Sequence, residues 1–301
     1  MDRRCFLQAL GTVSLAALTG CASRAPDSGA ASPTGTGGAA PNSDALARVV
    51  PSAAPSLAVL TAQAELLVGA DQRVAFGLAT QDNTPVENAD VRVWLVPEAG
   101  SPTGPSPASF HPRLGARGVY LASVDVAAPG GGWGVAVTGG EAEGGQAATR
   151  ALAPSDSATV TSGEPAVAAA TPTMADPLGV GEVCTRRPPC GMHETSLDGA
   201  LADGRPVVLT FATPAYCQTA MCGPVVDTVE SARAARDWGD VAWIHVEIYA
   251  DAGRTLMPAV ADWGLPSEPW VFFIDRRGTV TARLEGPVLE PEVATLAAAL
   301  V

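Results

Sequence analysis

Hydrophobic and polar positions alternate with a period of two through the middle of the chain. Within residues 73–80, for example, Val74, Phe76 and Leu78 fall on one face, and Asp82–Pro85 follows as a cluster of turn-forming residues. The same alternation recurs in residues 91–95, 119–126 and 133–137. Several short strands separated by turn signals, with no helical stretch between them, are typical of an antiparallel sandwich. We therefore predict a β-sandwich over residues 56–160.

The pattern changes in the last third of the chain, where apolar runs alternate with helical spacing. Residues 206–211 form a continuous apolar run, which predicts a buried central strand. Pro224 suits the first turn of a following helix. The complete pattern predicts a helix, a strand, a helix, a strand, a helix, two strands and a final helix.

The first 21 residues have the features of an export signal. Arg3 and Arg4 precede a short apolar core, and the run from Asp2 to Leu7 resembles the twin-arginine signal of exported proteins, although an ordinary secretory signal is the alternative. The run that ends at Cys21 resembles the bacterial lipobox, and that resemblance implies that Cys21 carries a lipid. We therefore expect an extracytoplasmic protein that is lipid-anchored to the cell membrane.

Two segments are poor in large apolar side chains and are rich in Ala, Gly, Ser, Thr and Pro. These are residues 22–55, which we predict as a flexible tether, and residues 161–179, which we predict as a linker. The strands of residues 56–160 have a layout that resembles bacterial immunoglobulin-like domains, but the segment contains no Cys and so lacks an inter-sheet disulfide. We expect it to act as a spacer or docking module.

The net charge of the chain argues against one class of partner. The formal net charge is −13, whereas a nucleic-acid-binding protein needs a basic surface. We therefore expect no nucleic-acid partner. No cofactor and no metal ion are predicted.

Residues 180–301 resemble the thioredoxin family. The run 208–211 leads into a Cys-bearing loop and a helix, and residues 263–273 match the family's stretch that carries a proline before an apolar strand. In that family the proline follows a cis peptide bond and faces the active-site sulfur. The resemblance transfers this role to Pro269, with Glu268 before it, and implies an α/β thioredoxin-like domain over residues 180–301.

Cys217 and Cys222 carry the chemistry that this resemblance implies, which is thiol–disulfide exchange with exported proteins that contain thiols or disulfides. Four residues separate them, where thioredoxin has two, so two alignments with the family motif stay open. Both sulfurs are expected near a helix N-terminus, where the helix dipole lowers a thiol pKa. A closed disulfide excludes a straight helix between them, and we predict that the helix begins at about Gly223.

Other functions remain open at this point. The Cys217–Cys222 pair could be a permanent structural disulfide, which would leave a redox-silent binding or scaffold lipoprotein. The run 213–217 is similar to a peroxiredoxin motif with one extra residue, which makes a peroxidase less favoured. Soft ligands at Cys190, Met192 and His193, together with Cys217 and Cys222, would suit a copper(I) carrier similar to the Sco chaperones. Tyr216, Glu268 and Asp262 are the candidates for acid–base assistance, and none has a role assigned by motif.

Cys184 and Cys190 form a second close pair, and two prolines between them favour a turn. In an oxidising compartment we predict a structural disulfide. A zinc site made of all four C-terminal cysteines is disfavoured by their spacing. We expect His193 at the surface, and we expect His245 in the core with its hydrogen bonds satisfied.

Overall fold

Seven strands between residues 57 and 152 close into a barrel in the computed structural model, which describes residues 42–50, 57–112, 118–139, 142–217 and 220–301. The strands of this region are β1 (Leu57–Thr61), β2 (Leu66–Leu67), β3 (Gly69–Thr80), β4 (Val91–Val96), β5 (Thr103–His111), β6 (Val119–Val126), β7 (Gly130–Gly139) and β8 (Ala142–Leu152). The barrel has the order β1-β3-β6-β5-β4-β7-β8. A parallel pairing of β1 with β8 closes it, and β2 adds to β8 outside the ring.

The predicted β-sandwich is therefore wrong, because a single sheet closes on itself where two packed sheets were expected. Closure depends on Gly145, which pairs with Leu57 across the seam between β8 and β1. A Cβ atom on Gly145 would lie 2.5 Å from the Leu57 carbonyl oxygen, so only glycine permits this approach. An alternating pattern specifies which side chains face the core. It does not specify whether the sheet packs on a second sheet or closes on itself, because both arrangements have an inward face.

The barrel interior is filled by the apolar side chains that the alternation predicted to share a face. Phe76 and Tyr120 are fully buried and stack with their ring centroids 5.6 Å apart. The Tyr120 hydroxyl accepts a hydrogen bond from the Ala89 amide at 3.0 Å, so the polar end of this ring is satisfied inside the core.

The second body is built on a four-stranded sheet. Its elements are α2 (Leu197–Ala202), β9 (Val207–Phe211), α3 (Cys222–Ala234), β10 (Ala242–Val246), α4 (Pro258–Asp262), β11 (Trp270–Ile274), β12 (Val280–Glu285) and α5 (Glu290–Ala298). The sheet order is β10-β9-β11-β12, in which β9 and β10 are parallel and the other pairs are antiparallel. All of β9, β10 and β11 is buried, which agrees with the continuous apolar runs of the sequence.

The fold class predicted for the whole chain, an immunoglobulin-like sandwich followed by an α/β thioredoxin-like domain, is contradicted by this architecture. The structure has a closed mixed barrel and a separate four-stranded sheet with few helices. Two of the helices beside the sheet, α2 and α4, have only six and five residues. The order of helices and strands agrees with the sequence pattern, since local periodicity specifies the elements but not their lengths or the layers that they build.

The segment predicted as a linker lies against the second sheet. The Gly163 amide donates to the Val280 carbonyl at 2.8 Å, and the Val280 amide donates to the Glu164 carbonyl at 2.9 Å. These bonds cover the outer edge of β12, which would otherwise present unpaired backbone groups.

Residues 38–301 form one compact unit, and the predicted domain boundaries stay a prediction.

A short helix, α1 (Ser43–Val49), lies within the segment predicted as a flexible tether. The Asn42 side chain caps it by accepting hydrogen bonds from the amides of Asp44 and Ala45.

The predicted signal peptide, Cys21 and the rest of the tether up to residue 41 lie outside the described residues. No helix in the described part of the chain is long and apolar enough to span a membrane.

Candidate functional site

The sheet topology brings the loop that carries Cys217 next to Glu268 and Pro269. Strand β9 ends at Phe211, and its antiparallel neighbour β11 begins at Trp270, which pairs with Phe211. The loop that leaves β9 and the residues that enter β11 therefore meet at one edge of the sheet. The Glu268–Pro269 peptide bond is cis, as the thioredoxin resemblance implied.

Helix α3 begins at Cys222, one residue before the predicted start. Ala220 has a left-handed φ of 55°, so the chain between the two cysteines does not continue the helix backwards. Residues 218 and 219, between the two cysteines, lie outside the described residues. Cys217 is partly exposed, whereas Cys222 is fully buried, and both are thiols. This asymmetry gives the pair one accessible sulfur and one protected sulfur.

Glu268 completes a three-residue group with these cysteines. Its carboxylate and the two sulfur atoms all lie within 4.8 Å of one another. Burial, the negative charge of Cys217 and that of Glu247, and the hydrogen bond to Cys217 raise the pKa of Glu268 to about 7. Oε2 of Glu268 is buried and has no hydrogen-bond partner among the described residues. Glu268 is therefore suited to exchange protons near neutral pH.

The pKa of the Cys222 thiol is raised, contrary to the expectation from its place at a helix N-terminus. The hydrogen bond with Cys217 is the largest cause, and burial of the sulfur adds to it. The hydrogen bond with Cys217 and the burial of the sulfur together outweigh the helix dipole at this position. Cys222 needs a proton acceptor before it can act as a nucleophile.

A groove lined by two tyrosines lies next to the loop that carries Cys217. Tyr216, which precedes Cys217, contacts Tyr249 edge to face with ring centroids 6.5 Å apart. Both rings line a cavity of about 180 Å³ together with residues of the 181–185 and 250–252 segments. Asp262, the third acid–base candidate of the sequence, is exposed at the end of α4 and does not belong to the group around Cys217.

A second cluster of thiols and imidazoles lies in the core of the same body. It consists of Cys184, Cys190, His193 and His245, all buried, and their ligand atoms all lie within 4.8 Å of one another. The two sulfurs are 3.7 Å apart as thiols, so the predicted structural disulfide is not formed in this structure. Cys190 Sγ lies 3.2 Å from His193 Nε2 and 3.3 Å from His245 Nδ1.

Backbone contacts hold the 184–193 segment against strand β10. The His245 amide donates to the Met192 carbonyl at 2.8 Å. The amide and hydroxyl of Thr185 both donate to Glu247 Oε1, at 2.7 and 2.9 Å. Thr185 Oγ1 also accepts a hydrogen bond from the Ala215 amide at 3.1 Å, which links this segment to the Cys217 loop.

The two cysteines of the second cluster differ in acidity. The hydrogen bond between them lowers the pKa of Cys184 below its ordinary value, with further bonds to His193 and His245 acting in the same direction. The same hydrogen bond, together with burial, raises the pKa of Cys190. A thiol and a thiolate therefore share this pocket more readily than two thiolates do.

The structure assembles some of the sequence-predicted residues and separates others. Cys217, Cys222 and Glu268 are together, whereas Cys190 and His193 lie with Cys184 and His245 and not in the group around Cys217. The copper(I) ligand set that the sequence suggested is thus divided between two places. His193, expected at the surface, is buried, and His245 is buried as expected. The spacing Cys184-x5-Cys190-x2-His193 was the available signal for the second cluster, but its fourth member is 52 residues further on.

Comparison with known proteins yields only weak likenesses. The chain matches no protein-family model, and no curated protein matches it. Three of the solved structures that are similar in part illustrate this. The structure of MTB dsbF in its mixed oxidized and reduced forms is 21% identical, covers 36% of this chain and 91% of its own, and has a TM-score of 0.27. The ZirS C-terminal domain is 12% identical, with coverages of 49% and 87% and a TM-score of 0.20. Domains 4 and 5 of the S-layer protein SbsC are 14% identical, with coverages of 33% and 46% and a TM-score of 0.20. None of the three likenesses establishes a fold, a family or a function for this chain, because each has a TM-score below 0.5.

Proposed function

We propose that this protein is a lipid-anchored, extracytoplasmic thiol–disulfide oxidoreductase that uses Cys217 and Cys222. The observation that carries the proposal is the group formed by one accessible thiol, one buried thiol and a carboxyl whose pKa is about 7, all within 4.8 Å. A structural disulfide has no use for a proton acceptor between its sulfurs, whereas an exchange reaction does.

The reaction begins with Cys217, whose sulfur is accessible. Its thiolate attacks one sulfur of a partner's disulfide, and the partner's S–S bond breaks as the Cys217–partner bond forms. The departing partner sulfur leaves as a thiolate and takes a proton from water. The tyrosine-lined groove beside Cys217 offers apolar surface on which an extended segment of the partner can lie.

The second step requires Cys222 and Glu268. Cys222 passes its proton to the Glu268 carboxylate, and the new thiolate attacks the Cys217 sulfur of the mixed disulfide. The Cys217–Cys222 disulfide forms as the Cys217–partner bond breaks, and the second partner sulfur leaves as a thiolate that takes a proton from water, so the partner gains two electrons that the cysteine pair loses. The reverse sequence oxidises a partner dithiol, with Glu268 returning the proton to Cys222.

Trapping of the intermediate tests this assignment. A Cys222→Ser protein should accumulate a mixed disulfide between Cys217 and a disulfide-containing test peptide, because the resolving thiol is absent. A matched Cys217→Ser protein should form no adduct at this site, since Cys222, Cys184 and Cys190 are all buried. The adducts are counted by intact mass and released by dithiothreitol.

Measurement of the reduction potential distinguishes exchange from a structural disulfide. We expect a reduction potential well above about −300 mV, because disulfides with potentials below that limit resist reduction by the glutathione pool. A value below that limit, with no adduct on the Cys222→Ser protein, contradicts the proposal and leaves a redox-silent binding protein.

A further inference from the structure

We propose that Cys184, Cys190, His193 and His245 form a structural zinc site that is separate from the Cys217–Cys222 pair. The four side chains supply two sulfur and two nitrogen ligands, which is a donor set that Zn²⁺ takes in tetrahedral structural sites. This assignment does not depend on the exchange reaction.

The separations of the ligand atoms agree with a tetrahedron around zinc. With Zn–S near 2.3 Å and Zn–N near 2.0–2.1 Å, neighbouring ligand atoms lie about 3.3–3.8 Å apart. In the structure the two sulfurs are 3.7 Å apart and the two imidazole nitrogens are 3.2 Å apart. The sulfur–nitrogen distances of 3.2, 3.3 and 3.9 Å agree with the same tetrahedron to within a few tenths of an ångström.

The imidazole of His245 is oriented for metal binding by its second nitrogen. His245 Nε2 lies 3.0 Å from the Ala212 carbonyl oxygen, and a carbonyl only accepts, so Nε2 carries the hydrogen. In the neutral ring, Nδ1 then has a lone pair, and it faces the two sulfurs and His193. Hydrogen bonding of the remote nitrogen to a carbonyl is the usual way in which proteins orient a ligating histidine.

Charge and burial favour the same ion. Two thiolates neutralise one Zn²⁺, so binding requires both cysteines in their deprotonated form and leaves no net charge in the core. All four side chains are buried, which leaves no position open to water and is typical of a structural site and not a catalytic one. The ion would join the 184–193 segment to strand β10 and, through Thr185 and Ala215, support the Cys217 loop.

Metal analysis of the full-length chain, purified under reducing conditions, tests the site. We expect one zinc ion per chain, and less than about a tenth of that in a His245→Ala protein. A Cys217→Ser/Cys222→Ser protein should keep its zinc, and so should His111→Ala, which removes an unrelated histidine. Loss of zinc from the double cysteine variant, with retention in His245→Ala, would move the metal to the redox pair and overturn the proposal.

Cobalt substitution of the unmodified protein avoids reliance on variants that fail to fold. Co²⁺ should give the intense visible bands of a tetrahedral site together with thiolate-to-cobalt charge transfer, and Zn²⁺ should displace it. Absence of these bands, together with a Cys184–Cys190 disulfide detected by mass after alkylation, overturns the proposal. Binding of copper(I) without binding of Zn²⁺ also overturns it.

Discussion

Arg283 Nη2 donates to Glu65 Oε2 at 2.9 Å, and this ion pair joins strand β12 of the second sheet to the barrel region. The two side chains are only 9% and 5% exposed. Glu65 also accepts hydrogen bonds from Ser157 Oγ at 2.7 Å and from the Ala158 amide at 2.8 Å. A buried charge with its partners in place is tolerated, but one that loses its partner is costly.

Replacement of one member of this pair should destabilise the whole described unit. We expect Glu65→Gln to lower the free energy of unfolding by about 3–5 kcal/mol, because it removes the carboxylate that pairs directly with the buried Arg283 guanidinium. Chemical denaturation followed by tryptophan fluorescence measures the change. Asp240→Asn breaks the exposed pair with Arg276 and serves as the control, which should unfold almost as the parent does. Equal effects of the two substitutions would contradict the buried role of Glu65.

The rate of the second exchange step should depend on the protonation of Glu268. The pKa of Glu268 is about 7 while Cys217 is a thiolate, and it is lower in the mixed disulfide because that negative charge is gone, although burial still holds it above the ordinary value of 4.5. The carboxylate, which accepts the Cys222 proton, therefore increases as pH rises from 4.5 to about 7. Release of a peptide from the mixed disulfide should therefore accelerate over this range. In Glu268→Gln the inflection should disappear and the rate should fall by about 100-fold.

An exposed carboxylate provides the control for this pH profile. Asp262→Asn, at the end of α4, should leave both the rate and the inflection unchanged. Stopped-flow release of a fluorescent peptide at each pH measures the step. An unaltered profile in Glu268→Gln would show that another group accepts the proton.

Gly286 should tolerate no side chain, because the chain passes close to the barrel region at this point. Its φ is 73°, and a Cβ atom added there would collide with the Ala62 carbonyl oxygen. Gly278 has a φ of 76° but nothing lies within 4 Å of its added Cβ. We expect Gly278→Ala to cost about 1–2 kcal/mol for the left-handed conformation alone. Gly286→Ala should cost at least about 1 kcal/mol more, from the collision. Thermal unfolding of both proteins checks the difference, and identical losses would mean that Ala62 moves away without cost.

Lipidation of Cys21 predicts where the protein is found. A Cys21→Ser protein should leave the membrane fraction and remain folded, because the lipid would be the only anchor that the sequence predicts. Cys5→Ser, which alters the other cysteine of the predicted signal, should stay with the membrane. Fractionation and immunoblotting distinguish the two. Retention of Cys21→Ser in the membrane fraction contradicts a lipid anchor at this residue.

Local patterns determined the elements of the second body with little help from the rest of the chain. The apolar run that became β9, the proline in the first turn of α3 and the Asp275–Gly278 turn each depend on neighbouring residues alone. The approximate start of α3 also depends on neighbouring residues alone. A disulfide from Cys217 to Cys222 excludes a straight helix between them, and Pro224 suits the first turn. The proximity of Cys217 to Cys222 is likewise a consequence of their separation by four residues.

Only the tertiary structure decided which distant residues share a site or a sheet. Strand β8 reaches β1 through the glycine at position 145, and no periodicity within either strand specifies that contact. Glu268 meets Cys217 because β11 lies beside β9, and His245 meets Cys184 and Cys190 because the 184–193 segment packs on β10. The hydrogen bond with Cys217, together with burial, raises the pKa of Cys222, where helix position alone had suggested a lower one. Sequence patterns act over a few residues, whereas closure, burial and electrostatics depend on every group that the folded chain brings within a few ångströms.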